Sequence, residues 1–269
     1  MNIRQTHAAN VFNLTLVAQY FGIQLQTVVS AYEELSSDER FLREVNAKID
    51  ETRRHHAYTR GIFGRRHLSS VDWFAFERVL LYVLVRVMRP ESVLETGVLY
   101  GGNSAFLLAA LNKNGGGKLT SVDLPAIEAA KSGVVRHSAV RDSEEYPPRL
   151  RPGFIIPDYL RANWELIQGD SLAILPSLTK KYGLFVHDSE HSFGFVLNEL
   201  SLAQRVLKRQ GIMVVDDIDW SNGFFAFCVR QRLYPLLLTD NGKDNLRVRI
   251  GAVMMNHPRN GQAEACGER

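Results

Sequence analysis

VLETGVLYGGNSAFLLAALNKNGGGKLTSVD, residues Val93 to Asp123, reads as a buried strand, a glycine-rich turn, a helix from Asn103 to Lys113 and a second strand ending in a carboxylate. Gly97, Gly101 and Gly102 stand where the chain must turn sharply after the strand, and their missing Cβ atoms let a ligand approach the backbone. The helix then aims its unpaired N–H groups at the same crevice, and Asp123, 22 positions beyond Gly101, ends the next strand where an acid can grip ribose hydroxyls. This is half of a nucleotide-binding fold.

The rest of the chain extends that reading. From Ser92 onward, short apolar strands at Val93–Glu95, Leu119–Asp123, Glu165–Gln168, Leu184–His187 and Ile212–Asp216 alternate with helical segments, which predicts a mostly parallel, doubly wound α/β sheet. Leu233–Thr239 and Leu246–Met255, joined by the turn composition of Asp240–Asn245, predict an antiparallel hairpin that brings a Rossmann-like sheet to seven strands. Residues 1–89 are helical in pattern and form an N-terminal cap: Ser37-Asp38 can start a helix running toward His56, and Val71–Met88 is apolar on most faces until Arg89-Pro90 ends it. The sheet domain spans 90–256. Within it the proline-rich segment 124–163 is too long for an ordinary connection and is expected to be a substrate lid, and 257–269 reads as a disordered tail.

Composition narrows the classes. A chain of 269 residues with 45% hydrophobic content fills one substantial core, and a net charge of +3 gives no general affinity for nucleic acid. The basic run Arg53-Arg54-His55-His56, Arg60 and Arg65-Arg66-His67 has only Tyr58 and Phe63 interleaved, too few aromatics for a base-stacking surface. With only Cys228 and Cys266 there is no disulfide framework, and a reducing cytoplasm is expected. The apolar run Val11–Val29 is broken by polar residues, so neither a signal peptide nor a membrane span is expected. The apolar faces of the N-terminal helices could build a homo-oligomer or serve packing within the chain. Trp73, Phe74, Phe76 and Tyr82 have the spacing of core residues, whereas Phe224-Phe225-Ala226-Phe227 fits a pocket wall and a buried helix equally.

Two features point to chemistry. The turn departs from the dinucleotide pattern because Glu95 stands beside it, and an acid there suits a cationic ligand such as the amino and sulfonium groups of S-adenosylmethionine better than a pyrophosphate. The second is the pair of strand ends His187-Asp188-Ser189-Glu190-His191 and Asp216-Asp217. Asp188 and Asp216 are 28 residues apart, the length of a strand, a crossover helix from Phe193 to Lys208 and a return strand, so they should converge at the carboxyl edge of the sheet. Asp188, Asp216 and Asp217 would repel one another without a cation or protons; oxygen ligands favour a hard ion, magnesium first, with manganese or calcium as alternatives. Strand-end acids also cap helices and bind loop amides without any metal.

Together, the Glu95–Ser104 turn, Asp123, Gly169-Asp170-Ser171, Asp188-Ser189-Glu190-His191 and Asp216-Asp217 resemble a class I S-adenosylmethionine-dependent methyltransferase over about residues 90–256. The later motifs are similar to metal-dependent small-molecule O-methyltransferases of the catechol and macrolide-sugar type. The resemblance implies cofactor binding by Glu95, Gly97, Gly101, Ser104, Asp123, Asp170, Ser171 and Asp188. It also implies metal ligation by Asp188, Asp216 and Asp217, with a base three places after the first metal acid, at His191. Glu190 is the alternative base. The acceptor expected is a hydroxyl on a small molecule such as a sugar or natural-product intermediate. Two other readings remain open: a nicotinamide-dependent oxidoreductase, for which the chain lacks a clear Tyr-x-x-x-Lys pair, and a non-catalytic protein that binds an adenosyl ligand.

Overall fold

In the computed structural model, residues 3–55, 74–125, 152–240 and 247–257 are described. Trp73, most of the basic run, the greater part of the expected lid, the hairpin turn at 241–246 and the tail from 258 lie outside them.

Seven strands form one sheet: β1 (Ser92–Thr96), β2 (Lys118–Asp123), β3 (Trp164–Gln168), β4 (Tyr182–His187), β5 (Leu207–Val215), β6 (Leu236–Asp240) and β7 (Arg247–Met254), in the order β3-β2-β1-β4-β5-β7-β6. The first five run parallel, and β7 is antiparallel to both β5 and β6. The strand order reverses between β1 and β4, where ligands enter sheets of this kind.

The amino-terminal part is helical: α1 (Ile3–Phe21), α2 (Leu25–Ser36), α3 (Glu39–His55) and α4 (Phe76–Met88). Asp38 starts α3 by accepting the Phe41 amide at 3.0 Å, as its position before the apolar run requires. Arg89 ends α4 in the left-handed conformation ahead of Pro90. Phe76, Leu80, Tyr82, Val83 and Val85 of α4 are buried against α5 (Gly102–Lys113) on one face of the sheet. The aromatic residues Phe74, Phe76 and Tyr82 are therefore core. On the other face, α7 (Phe193–Val206) and α8 (Gly223–Gln231) pack over Leu94, Phe185, Met213 and Val253. Phe224 and Phe227, which the sequence left between two roles, lie in that core. A short helix, α6 (Ser171–Ile174), follows β3.

The cap is tied to the sheet by polar contacts as well. Asn13 of α1, fully buried, donates to the Thr239 carbonyl at 2.8 Å and accepts the Thr239 amide at 3.4 Å. Arg86 of α4 makes a two-point ion pair with Glu34 of α2 at 2.6 and 2.7 Å, and the Tyr82 hydroxyl donates to the same carboxylate at 2.5 Å. Arg86 holds the Glu34 carboxyl down at about 2. No helix of the described residues is long and apolar enough to cross a membrane.

Candidate functional site

Main-chain hydrogen bonds stitch the carboxyl edge of the parallel strands together. The amides of Gly97, Gly169, Asp188 and Asp216 donate to the carbonyls of Val122, Asp123, Thr96 and His187, at 2.9 to 3.0 Å. Each amide belongs to the residue just past its strand, so the turns that follow are fixed in register and their side chains converge on one crevice. Gly97 has a φ of 81°, and a Cβ there would run into the Asp188 carbonyl, so the β1 turn can approach the end of β4 only without a side chain. Gly101, at φ 83°, meets a different neighbour: its Cβ would lie 2.7 Å from the Gly153 Cα.

That neighbour belongs to the described end of the expected lid. Gly153 and Ile155 donate to the carbonyls of Leu99 and Tyr100 at 3.0 and 2.8 Å, so the returning chain lies alongside the glycine turn. Helix α3 holds the same segment from outside through Lys48 and Asp158 at 3.1 Å and through the Arg40 guanidinium stacked 3.9 Å from the Tyr159 ring.

Around the turn, Glu95 is fully buried and accepts the hydroxyls of Ser104 and Ser121 at 2.6 and 2.7 Å, while its other oxygen has no hydrogen-bond partner among the described residues. Burial pushes its carboxyl up to about 7, against the opposing pull of the two serines. Asp123 accepts the Leu99 amide at 3.0 Å and its own following amide, Leu124, at 3.0 Å. Burial raises it to about 6, opposed by those amides. Asp170 caps α6 through the Leu172 amide at 2.9 Å and remains exposed. Ser171 turns inward instead, its hydroxyl donating to Glu199 of α7.

Glu199 and His187 form a fully buried pair that the sequence reading did not single out. Glu199 also accepts from Thr96 at 2.8 Å and Ser189 at 3.1 Å. Burial disfavours its charge, yet His187 and the hydroxyls of Ser171 and Thr96 outweigh that cost and hold its carboxyl below the ordinary range. One carboxylate thus joins the ends of β1, β3 and β4. The nearest sequence signal is an acid at position 199 on the otherwise apolar buried face of α7, among Val196, Leu200, Ala203 and Val206.

The acids meet in a different set from the one expected. Asp188 and Asp216 converge as their spacing predicted, but the carboxylate that joins them is Glu77 of α4; oxygens of all three lie within 4.8 Å of one another. Glu77 reaches them from the first turn of α4, where Asn103 in the first turn of α5 bonds both it and Asp188. Glu77 is buried, and burial together with the charges of Asp216 and Asp188 raises its carboxyl well above the ordinary range, with Arg78 and Asn103 opposing. Asp217 is directed elsewhere. Its backbone is left-handed at φ 52°, and its carboxylate is ion-paired with Arg249 of β7.

His191 stands on the loop between β4 and α7 with a tenth of its side chain exposed, 3.9 Å from the Asp217 carboxylate and edge-on to His187 at 5.6 Å between ring centres. Trp220, half exposed, lies 6.1 Å away on the outer side. Glu190 is engaged differently: it accepts the Ser192 amide at 2.8 Å and the Ser192 hydroxyl at 2.6 Å, bracing the start of α7.

Against this geometry, a family model described as a methyltransferase domain matches residues 94–218. No curated protein matches the chain. Solved structures share its fold at low identity. One is a Klebsiella pneumoniae protein provisionally named an O-methyltransferase, at 16% identity and a TM-score of 0.54, covering 83% of this chain and 93% of that one. A second is an O-methyltransferase from Bacillus cereus in complex with SAH, at 15% identity and 0.51, covering 77% and 90%. A third is the O-methyltransferase TomG from Streptomyces achromogenes, involved in tomaymycin synthesis and in complex with SAM, at 15% identity and 0.52, covering 84% and 95%.

Proposed function

We propose that the chain, whose residues 94–218 match a methyltransferase domain, is a class I S-adenosylmethionine-dependent enzyme that transfers a methyl group to a hydroxyl of a small molecule, with a divalent cation at Asp188 and Asp216. The observation that carries this reading is the meeting of two sites on one sheet edge. The glycine turn with Asp123 and the acids at the ends of β4 and β5 open onto the same crevice, with Gly97 packed directly on Asp188.

The cofactor supplies a methyl group activated by a sulfonium. Transfer to an acceptor oxygen would break the carbon–sulfur bond and leave a neutral thioether, so the hydroxyl proton would have to pass to a base of this chain. Asp123 offers acceptors to ribose hydroxyls, and the turn at Gly97 and Gly101 lets the ligand lie against bare backbone. Glu95, with Ser104 on it, places negative charge or a hydrogen-bond acceptor beneath the turn for the methionine half. Ser171, drawn to Glu199, shapes this edge through its backbone, and exposed Asp170 is the residue left for the adenine side.

The three carboxylates fit a hard cation in donor type and spacing, and such a cation would orient an acceptor oxygen and favour its deprotonated form. His191 takes the proton in this reading: its imidazole stands on the loop just after Asp188, and Asp217 lies 3.9 Å from it, placed to favour the imidazolium that results. Glu190, occupied with Ser192, is assigned to bracing the helix rather than to proton transfer. Asp217, paired to Arg249, is a positioning residue for His191 in place of a metal ligand.

Calorimetric titration of the chelator-treated chain tests the reading. Binding of S-adenosylmethionine and not of NAD, followed by magnesium-stimulated methylation in a screen of hydroxyl acceptors that is lost in Asp216→Ala, is the expected result. Selective NAD binding, or full metal-dependent turnover in Asp216→Ala, would overturn it.

A further inference from the structure

The acid that completes the cluster lies outside the matched domain, and its surroundings carry a second signal. Glu77 sits in the first turn of α4, 17 residues before the domain match begins at residue 94, with 3% of its surface exposed. Asn103, in the first turn of α5 and 4% exposed, donates from Nδ2 to Glu77 at 2.9 Å and to Asp188 at 3.0 Å. Its carbonyl oxygen, equally buried, has no hydrogen-bond partner among the described residues. A primary amide that rotates half a turn about its last torsion exchanges its donor for its acceptor at the same place. In a group of carboxylates alone the NH2 end faces the acids; with a cation among them, the carbonyl end is the better partner.

We propose that Glu77 and Asn103 belong to the cation site: a divalent cation is held by the carboxylates of Glu77, Asp188 and Asp216, and by the Asn103 carbonyl once its amide has turned. This rests on the reading that Asp188 and Asp216 hold a cation, and it adds where the remaining protein ligands come from. Two come from the strand ends of the methyltransferase domain, one from the helix that starts that domain's cofactor-facing wall, and one from the amino-terminal cap. Oxygen is the donor in every case, which selects a hard ion over zinc. The cap is then part of the reaction centre, because the domain alone brings two of the three acids.

The test uses manganese alone as the probe, titrated into the chelator-treated full chain and followed by the loss of free-ion paramagnetic resonance signal, with calorimetry as a second readout. Glu77→Gln and Asn103→Ala are each expected to weaken manganese binding by about 10-fold or more. Asp217→Asn is expected to leave it within about twofold, since Asp217 faces Arg249. Should Glu77→Gln fail to fold by circular dichroism, Glu77→Asp, which keeps the charge but draws the carboxyl back by one carbon, serves with the same expected direction. Manganese binding in the wild-type chain that is lost in Asp216→Ala but unchanged in both Glu77 and Asn103 variants would overturn this assignment and leave the cation reading standing. No manganese binding by the wild-type chain would overturn both.

Discussion

Asp123 accepts the main-chain amide of Leu99 at 3.0 Å, so the acid at the tip of β2 braces the turn it is placed to share with a ribose. Leu99 has a φ of 48°, a left-handed conformation uncommon for leucine, and the carboxylate helps hold it there. Asp123→Ala therefore removes a ligand acceptor and loosens the turn together. Its affinity for S-adenosylmethionine is expected to fall by about 10- to 100-fold, since hydrogen bonds to a charged group contribute about 1.5–3 kcal/mol. Asp123→Asn, which keeps one acceptor oxygen, should lose less. Calorimetry on the two variants checks the order, and equal affinity in wild type and Asp123→Ala would remove Asp123 from the cofactor site.

Glu95 predicts a dependence of stability on pH. Its carboxyl titrates near 7 in the folded protein against an ordinary value of 4.5, so the folded state keeps a proton that the unfolded chain releases. The contribution is full below about 4.5 and is lost as pH rises through about 7. Asp123, raised to about 6, acts in the same direction. Urea unfolding of the ligand-free chain should show wild type losing stability between pH 5 and 8, by roughly 3 kcal/mol from Glu95 alone at most. Glu95→Gln should flatten that profile. Parallel profiles for the two proteins would show that Glu95 does not carry the effect.

Arg249 is 8% exposed and depends on Asp217 for its closest opposite charge. Asp217→Ala leaves a cation buried without that partner and is expected to cost about 3–5 kcal/mol of stability. Adding Arg249→Leu should recover much of the loss, because the uncompensated charge goes with it. The Asp219 carboxylate, 3.9 Å from the Arg249 Nε, limits the cost if it moves closer. Denaturant midpoints of the single and double variants measure the coupling.

What could be read from the chain follows from how far each interaction reaches. The succession of strands and helices, the glycine turn and the convergence of Asp188 with Asp216 are local consequences of strand–helix–strand spacing, and all appear in the fold. Asp217 was placed with the cation because it neighbours Asp216, but a left-handed residue just past a strand turns its side chain off the strand's alternation, and sequence does not show that φ. Glu77 carried a readable trace, an acid inside a helix apolar on most faces. Its partners, however, lie 111 and 139 positions away, beyond any periodicity. The Ser171 hydroxyl donates to Glu199 of α7, a side-chain pairing that no motif in the chain announces.

The bonds between Asn13 and Thr239 give the amino-terminal helices a protective duty. β6 is the outermost strand of the sheet, and its unpaired main-chain groups are a template on which another chain can add a strand. The Asn13 amide imitates the peptide of a missing neighbour, donating to the Thr239 carbonyl and accepting its N–H. A protein shortened to begin after α1 would keep every strand yet bare this rim. Its failure in solution would then include self-association along this rim.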